Sequence, residues 1–197
     1  MATFRTFIAF ETPEEIKAEM LKVQQKLKET NADFRWESPT KFHATMTFLG
    51  DTDESTIPVL RERIEGITRR IAPFPVTYEN LGAFPGMKHP RVIWIGCHNE
   101  DGTLESLKTA LDRELTGLGF EIERRSFRPH VTMGRVKSDK GIQHLLSRME
   151  SLTFEPRTAT IGGIVLMKSV LSPQGAEYSL LCSFQFHPKP STEHDTE

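Results

Sequence analysis

Two short segments carry the chemistry legible in this sequence. One reads Lys41-Phe42-His43-Ala44-Thr45-Met46-Thr47-Phe48-Leu49-Gly50, the other Pro129-His130-Val131-Thr132-Met133-Gly134-Arg135. Both contain His-x-Thr-Met. Side chains of an extended chain alternate between faces, so His43 shares a face with Thr45, and His130 with Thr132. Ala44, Met46, Val131 and Met133 take the opposite faces. A single histidine on a strand is ordinarily structural, and a duplicated core motif would explain two without any chemistry. A core position, however, favours an apolar residue, because burying an imidazole or hydroxyl without partners is costly. Polar pairs kept twice on one face point to a site. A phosphodiester suits them: in-line attack at phosphorus needs a base on one side and an acid on the other. Imidazole, with an unperturbed pKa of about 6.5, does either near neutral pH. Thr45 and Thr132 can each donate a hydrogen bond to a non-bridging oxygen, where charge accumulates. His-x-Thr with no adjacent carboxylate offers too few ligands in each half for a metal, so no metal or other cofactor is expected.

These motifs sit within a repeated pattern of elements. Phe4–Phe10 reads as a strand. Thr12 as N-cap, Pro13 at the first helical position and Glu15 three after the cap then start a helix, with Ile16, Met20, Val23 and Leu27 on one face. The motif stretch Phe42–Leu49 is extended and ends at Gly50-Asp51. Ile57, Leu60, Ile64, Ile67 and Ile71 form a second helical face. After Pro73 and Pro75 come a strand at Val76–Leu81, a Gly/Pro loop from Gly82 to Pro90 and a strand at Arg91–Cys97. Leu104, Leu107, Leu111, Leu115 and Leu118 make a third helix, stopped by Gly119. Pro129–Val136 is extended, Ile142, Leu145, Leu146 and Met149 make a short helix, and strands follow near Thr158–Lys168 and Glu177–Phe186. Strand, helix, strand, helix thus occurs twice. Phe4 precedes His43 by 39 residues and Arg91 precedes His130 by the same 39. The reading is an α+β fold of two pseudo-equivalent halves, each with its helices on one face of an antiparallel sheet and its other face lining a shared cleft.

The composition agrees and sets bounds. A chain of 197 residues, 37% hydrophobic and 26% charged, fits one globular domain or two small lobes on one core. The expected domain is 1–187, followed by a polar tail, 188–197. Proteins that grip long nucleic acid usually carry a basic excess, and this chain carries a net charge of −2. Any nucleic-acid contact is therefore local: an end, or a few nucleotides. Local basic stretches exist at Arg124, Arg125 and Arg128 and from Lys88 to Arg91, equally readable as solvated surface. No apolar run is long enough to span a bilayer and the start lacks a secretory pattern, so no membrane partner and a cytoplasmic location are expected. Cys97 and Cys182, both in apolar surroundings, read as reduced thiols.

Further flanks make a family visible. Phe48-Leu49-Gly50 follows the first motif and Arg135 stands five residues after the second histidine. Arg5-Thr6-Phe7-Ile8-Ala9 opens the chain, Phe127-Arg128-Pro129 precedes the second motif, and Leu171 to Tyr178 reads Leu-Ser-Pro-Gln-Gly-Ala-Glu-Tyr. Over nearly its whole length the chain resembles the two-histidine phosphoesterases, more narrowly the bacterial and archaeal RNA 2′,3′-cyclic phosphodiesterases, once called 2′-5′ RNA ligases. The resemblance implies a bilobal duplicated fold, two antiparallel sheets with helices packed outside and a central active-site cleft. It implies a monomer that hydrolyses the 2′,3′-cyclic phosphate end of RNA or an oligonucleotide to a 2′-phosphate. It assigns His43 as proton donor to the leaving 3′-oxygen, His130 as the base that activates water, and Thr45 and Thr132 as phosphate-binding residues. Gly134 stands where the family often has an aliphatic residue, which is expected to loosen the strand.

Other residues are read one by one. Arg135 matches the family's motif arginine, as a contact to phosphate or base or as a structural salt bridge. Strict alternation from His130 turns it away from the cleft, so substrate contact requires a bulge near Gly134. Phe48 alternates to the core side and is read as core. Phe84, in the Gly/Pro loop, is a candidate base-stacking platform. Tyr178 and Phe127 read as packing, and His89, His98, His144 and His187 as surface. The rivals are ligation by the reverse reaction, a non-catalytic RNA-end binder and an enzyme for a small cyclic phosphate. Intact histidines and threonines in both motifs favour catalysis, and water outcompetes a 5′-hydroxyl that must be held in place.

Overall fold

Four segments with apolar residues at helical spacing alternate with extended ones in a computed structural model that describes residues 2–123, 125–173 and 175–187. The order is β1 (Thr3–Glu11), α1 (Glu14–Lys28), β2 (Phe34–Trp36), β3 (His43–Asp53), α2 (Ile57–Thr68), β4 (Phe74–Phe84), β5 (Val92–His98), α3 (Thr103–Gly117), β6 (His130–Val136), α4 (Ile142–Glu150), β7 (Arg157–Ile161), β8 (Gly163–Ser172) and β9 (Gly175–Gln185). The expected tail at 188–197, Arg124 and Gln174 lie outside the described residues.

The strands form one antiparallel sheet in the order β7-β4-β5-β6-β3-β1-β8-β9, with β2 added on β6. The two expected sheets are its two sides, β3-β1-β8-β9 and β6-β5-β4-β7. They join at a single pairing, Ala44 with Val131, beyond which β3 and β6 splay apart. The helices bury Ile16, Met20, Leu60, Ile64, Leu107, Leu111, Leu145 and Met149 in one core with Ala44, Met46, Val131 and Met133 of the motif strands. The opposite face of the first side carries a smaller apolar cluster of Phe7, Ala9 and Val165, packed by Met167 and Tyr178.

Several elements differ from the sequence reading. The strand expected at Thr158–Lys168 breaks at Gly162: β7 pairs with β4 and β8 with β1, so the chain crosses from one side of the sheet to the other. A Cβ on Gly163 would stand 2.3 Å from the Phe184 carbonyl oxygen, so only glycine permits that approach of β9. β4 runs past Leu81 to Phe84, which pairs with Val92 and is therefore on a strand rather than in a loop. Pro13, not Thr12, occupies the N-cap of α1, and the Thr12 hydroxyl caps nothing. β2 is three residues long, too short to show alternation.

β2 is secured on β6 by close packing. The buried Gln24 of α1 donates from Nε2 to the carbonyls of Glu37 (2.8 Å) and Met133 (3.1 Å), and the Met133 carbonyl also accepts from the Glu37 N–H. A Cβ on Gly134 would lie 2.4 Å from a Phe34 ring carbon and 2.8 Å from the Arg35 carbonyl oxygen. Gly134 thus tightens the strand, contrary to the expectation that it loosens it. Gly134→Val is expected to destabilise the protein by about 1–3 kcal/mol, read as a lower midpoint in urea unfolding. An unchanged midpoint would show that Phe34 is not seated on this glycine.

Candidate active site

Ala44 and Val131 meet across the seam with their side chains in the core. Their neighbours His43, Thr45, His130 and Thr132 therefore all leave the sheet on the other face, half-buried in a cleft of about 880 Å³. Continued as a regular ladder, the pairing would set His43 across from Thr132 and Thr45 across from His130. The two histidines thus lie diagonally across the seam, on the same face and in the same cleft.

The rings are held alike. His130 Nδ1 lies 2.7 Å from the Arg128 carbonyl and donates to it, which leaves Nε2 for the cleft. The His43 ring likewise bonds the backbone of Lys41, two residues earlier, in the sense that favours its protonated form. Aromatic walls complete each half. Phe7 stacks on His43 at 5.0 Å between centroids, and Tyr178 meets it edge-on at 5.2 Å. Phe84 meets His130 edge-on at 4.8 Å, and Trp94 stands behind at 6.1 Å. Trp94 lies over Gly82, where a Cβ would fall 2.3 Å from its ring.

Burial among these rings disfavours the charged imidazole. It takes His43 down from the ordinary 6.5 to about 4, against the bond to Lys41 and with lesser help from the charges of His130 and Arg135. Burial lowers His130 as well, opposed by the Arg128 carbonyl and aided by Arg135. Both rings are therefore neutral near pH 7 in the free protein. An anion bound between them favours the protonated form and moves a ring back toward neutrality of the site.

The same bulge follows both motifs. The β1–β3 register slips between Ile8 and Ala9, leaving Met46 as the extra residue, and the β5–β6 register slips between Ile93 and Trp94, leaving Met133. Each slip reverses the alternation, so the residue five after each histidine turns into the cleft. Arg135 gains in this way the bulge it required, beside Gly134. Its Nε lies 3.7 Å from the Glu37 carboxylate, so it is both ion-paired and cleft-lining. Phe48, expected in the core, is 55% exposed and lines the cleft, because the bulge at Met46 reverses the alternation that would turn it inward.

The remaining candidates separate cleanly. Phe84 lines the cleft, but its ring is engaged with His130 and Trp94. Tyr178, expected as packing, flanks His43. Arg91, Arg125 and Arg128 line the cleft, whereas Lys88 and His89 are exposed elsewhere. Sequence reasoning missed Phe7, Glu37 and Lys41; only the position of Lys41, two before His43 as Arg128 is two before His130, could have signalled one of them. Among the described residues no group of three His, Cys, Asp or Glu side chains could hold a metal ion, and no helix is long and apolar enough to cross a membrane. Cys97 and Cys182 are free thiols.

The sequence model of the LigT-like phosphoesterases matches the chain twice, over residues 10–94 and 95–178, with one His-x-Thr motif in each match. The chain belongs to the LigT-like phosphoesterase family. Its relatives include the RNA 2′,3′-cyclic phosphodiesterase of Thermotoga maritima, 34% identical over 182 residues, 92% of this chain and 95% of the relative. That of Methanocaldococcus jannaschii is 32% identical over 180 residues, 90% of this chain and 98% of the relative. The fold of this LigT-like phosphoesterase is shared by Escherichia coli LigT crystallised with 3′-AMP, at a TM-score of 0.76 and 21% identity, with 95% of this chain and 100% of that one covered. A protein of Thermus thermophilus gives a TM-score of 0.76 at 24% identity, covering 94% and 100%.

The lowered histidines make a stability prediction. A ring that titrates lower in the folded phosphoesterase than in the unfolded chain binds fewer protons when folded. Stability is therefore full above about pH 6.5 and lost as pH falls toward about 4. Urea unfolding at about pH 7.5, 5.5 and 4.5 is expected to show this loss, and His43→Gln to flatten it. A slope unchanged by the substitution would exclude the burial of His43 as its source.

Proposed function

We propose that this phosphoesterase, working as one domain across residues 1–187, opens the 2′,3′-cyclic phosphate at an RNA end to a 2′-phosphate. His43 is the acid and His130 the base. The observation that carries this reading is the pair of half-buried imidazoles on one face, each bonded to the backbone two residues before it. The names of its relatives support the same substrate. Water loses a proton to His130 Nε2 and attacks phosphorus, and the bond to the 3′-oxygen breaks. His43 gives its proton to that oxygen, leaving a 2′-phosphomonoester and a free 3′-hydroxyl. One histidine gains a proton and the other loses one, and exchange with solvent resets the pair. Thr45 and Thr132 donate to the non-bridging oxygens, and Arg135, held by Glu37, supplies positive charge beside them. The edge-on contact of Phe84 with His130 supports a role as the wall that orients the base, in place of the base-stacking platform. The free thiols support a reducing, cytoplasmic setting, and a monomer suffices because one chain supplies the whole cleft.

His43→Ala and His130→Ala are each expected to lower turnover on a cyclic-ended oligonucleotide by about 10²–10⁴-fold. The double variant should lose far less than the product, since either loss disables the unit. A 3′ leaving group that needs no protonation should rescue His43→Ala and not His130→Ala; the opposite pattern would exchange the two roles. Because both rings titrate low in the free enzyme, kcat/KM should peak on the acid side of about pH 6.5. The profile of kcat should lie higher, the bound anion having raised the acid. Coincident profiles would remove the anion from the proton economy of the site.

Chelation tests the absence of a metal role. Dialysis against EDTA is expected to leave turnover unchanged, and a loss restored by a divalent ion would sink the proton-transfer scheme.

A further inference from the structure

The helix α1 buries a polar side chain where its counterpart in the second half buries none. Its buried residues are Ile16, Met20, Val23, Gln24 and Leu27, whereas those of α3 are Leu104, Leu107, Leu111 and Leu115. Gln24 is 0% exposed and does not line the cleft. Burying an amide is costly, and among the described residues its Oε1 finds no hydrogen-bond partner. Leucine would serve the core better at this position, so the reason for an amide lies with its nitrogen.

The NH2 group of Gln24 stands between two carbonyl oxygens, that of Glu37 at 2.8 Å and that of Met133 at 3.1 Å. Only the nitrogen of the amide can face two acceptors, which fixes the orientation of the side chain. Both carbonyls belong to residues that set Arg135. Met133 is the extra residue of the β6 bulge, without a partner on β5, and that bulge turns Arg135 into the cleft. On its other edge β6 meets β3 at Val131 and β2 from Gly134 onward, so Met133 lies in the gap where β6 changes partner. There its carbonyl accepts from the Glu37 N–H at 2.9 Å and from Gln24. Glu37 in turn holds Arg135 Nε at 3.7 Å from its carboxylate. One amide thus fastens the residue that aims the arginine to the residue that restrains it. The other half has no equivalent. The helix α3 packs on β3, whose bulge at Met46 turns out the uncharged Phe48, and α3 contains neither asparagine nor glutamine.

We propose that Gln24 is a positioning residue for Arg135, acting through the sheet from the face opposite the cleft. The inference rests on the proposed function, in which Arg135 supplies positive charge beside the phosphate. With the amide in place, the Glu37 and Met133 carbonyls are drawn to one nitrogen. Without it they face each other across a gap with no donor and repel. The strands then part at this point, and the carboxylate and the bulge that aim the guanidinium move with them. A guanidinium off its line still carries its charge, but no longer where charge accumulates in the transition state.

The test is a double-mutant cycle of Gln24→Met with Arg135→Met, assayed on an oligonucleotide with a 2′,3′-cyclic end. Methionine keeps the length of the glutamine side chain and removes the donor. Gln24→Met should lower kcat/KM by about 10–10²-fold in the parent. In the Arg135→Met background it should lower it by no more than about twofold. Equal losses in the two backgrounds would show that Gln24 supports the fold alone, and an unchanged kcat/KM in the parent overturns the proposal as well. Thermal melting sets a temperature at which every variant is folded. If Gln24→Met does not fold, Gln24→Asn, which draws the same donor back along a shorter side chain, replaces it in the cycle under the same criteria. A parent inactive on the oligonucleotide refutes the proposed function instead. The cycle is then read in the affinity for inorganic phosphate, by calorimetry. Binding that Gln24→Met weakens in the parent, and does not weaken further in Arg135→Met, supports the positioning role. Equal weakening in both, no weakening, or no binding of phosphate by the parent overturns it.

Discussion

One backbone pairing, Ala44 with Val131, holds the architecture of this site together. Small and β-branched side chains let the two motif strands touch at that point over a shared core, and the splay on either side opens the cleft. Because the contact falls between each histidine and its threonine, all four polar groups emerge on the same face. A slip of one residue at the seam would send them into the core and bring alanine, valine and methionine to the substrate. Position in the sheet, more than any contact among the four side chains, therefore makes this a site.

Burial and hydrogen bonding oppose each other at both rings. Aromatic walls push the imidazoles toward the neutral form, while a backbone carbonyl two residues earlier fixes each ring and favours its protonation. The ligand-free site is thus close to uncharged at its centre, with positive charge held further out by Arg135 and the rim arginines. A phosphate enters a place where it is the missing charge, and its own field supplies the bias that makes one ring an acid.

Much of this was legible from residue types. The duplicated His-x-Thr, the helical faces of Ile16 to Leu27 and of Leu104 to Leu115, and the common face of His43 with Thr45 follow from periodicity alone. What alternation could not reveal was where it stops. The bulges at Met46 and Met133 leave no mark in the pattern, since each inserts an ordinary apolar residue, and they decide where Phe48 and Arg135 point. For Arg135 the resemblance to a family supplied the missing reason to suspect one; for Phe48 only the register does. Gly162 likewise reads as one glycine in a continuous strand until the pairing partners on its two sides are known. Lys41 and Glu37 come to the cleft through long-range contacts that no local window contains.

The crossing at Gly162 has a consequence for the order in which the molecule can be made. β1 lies in the interior of the sheet, yet the strand that covers its outer edge, β8, comes more than 150 residues later. As the chain leaves the ribosome, β1, α1, β3 and α2 can assemble early, but the half they build keeps an open strand edge and a bare apolar patch at Phe7 and Ala9. Only the C-terminal hairpin closes it. The two halves repeat in sequence without being separable as folding units, and the nascent protein must be protected until its last strands arrive.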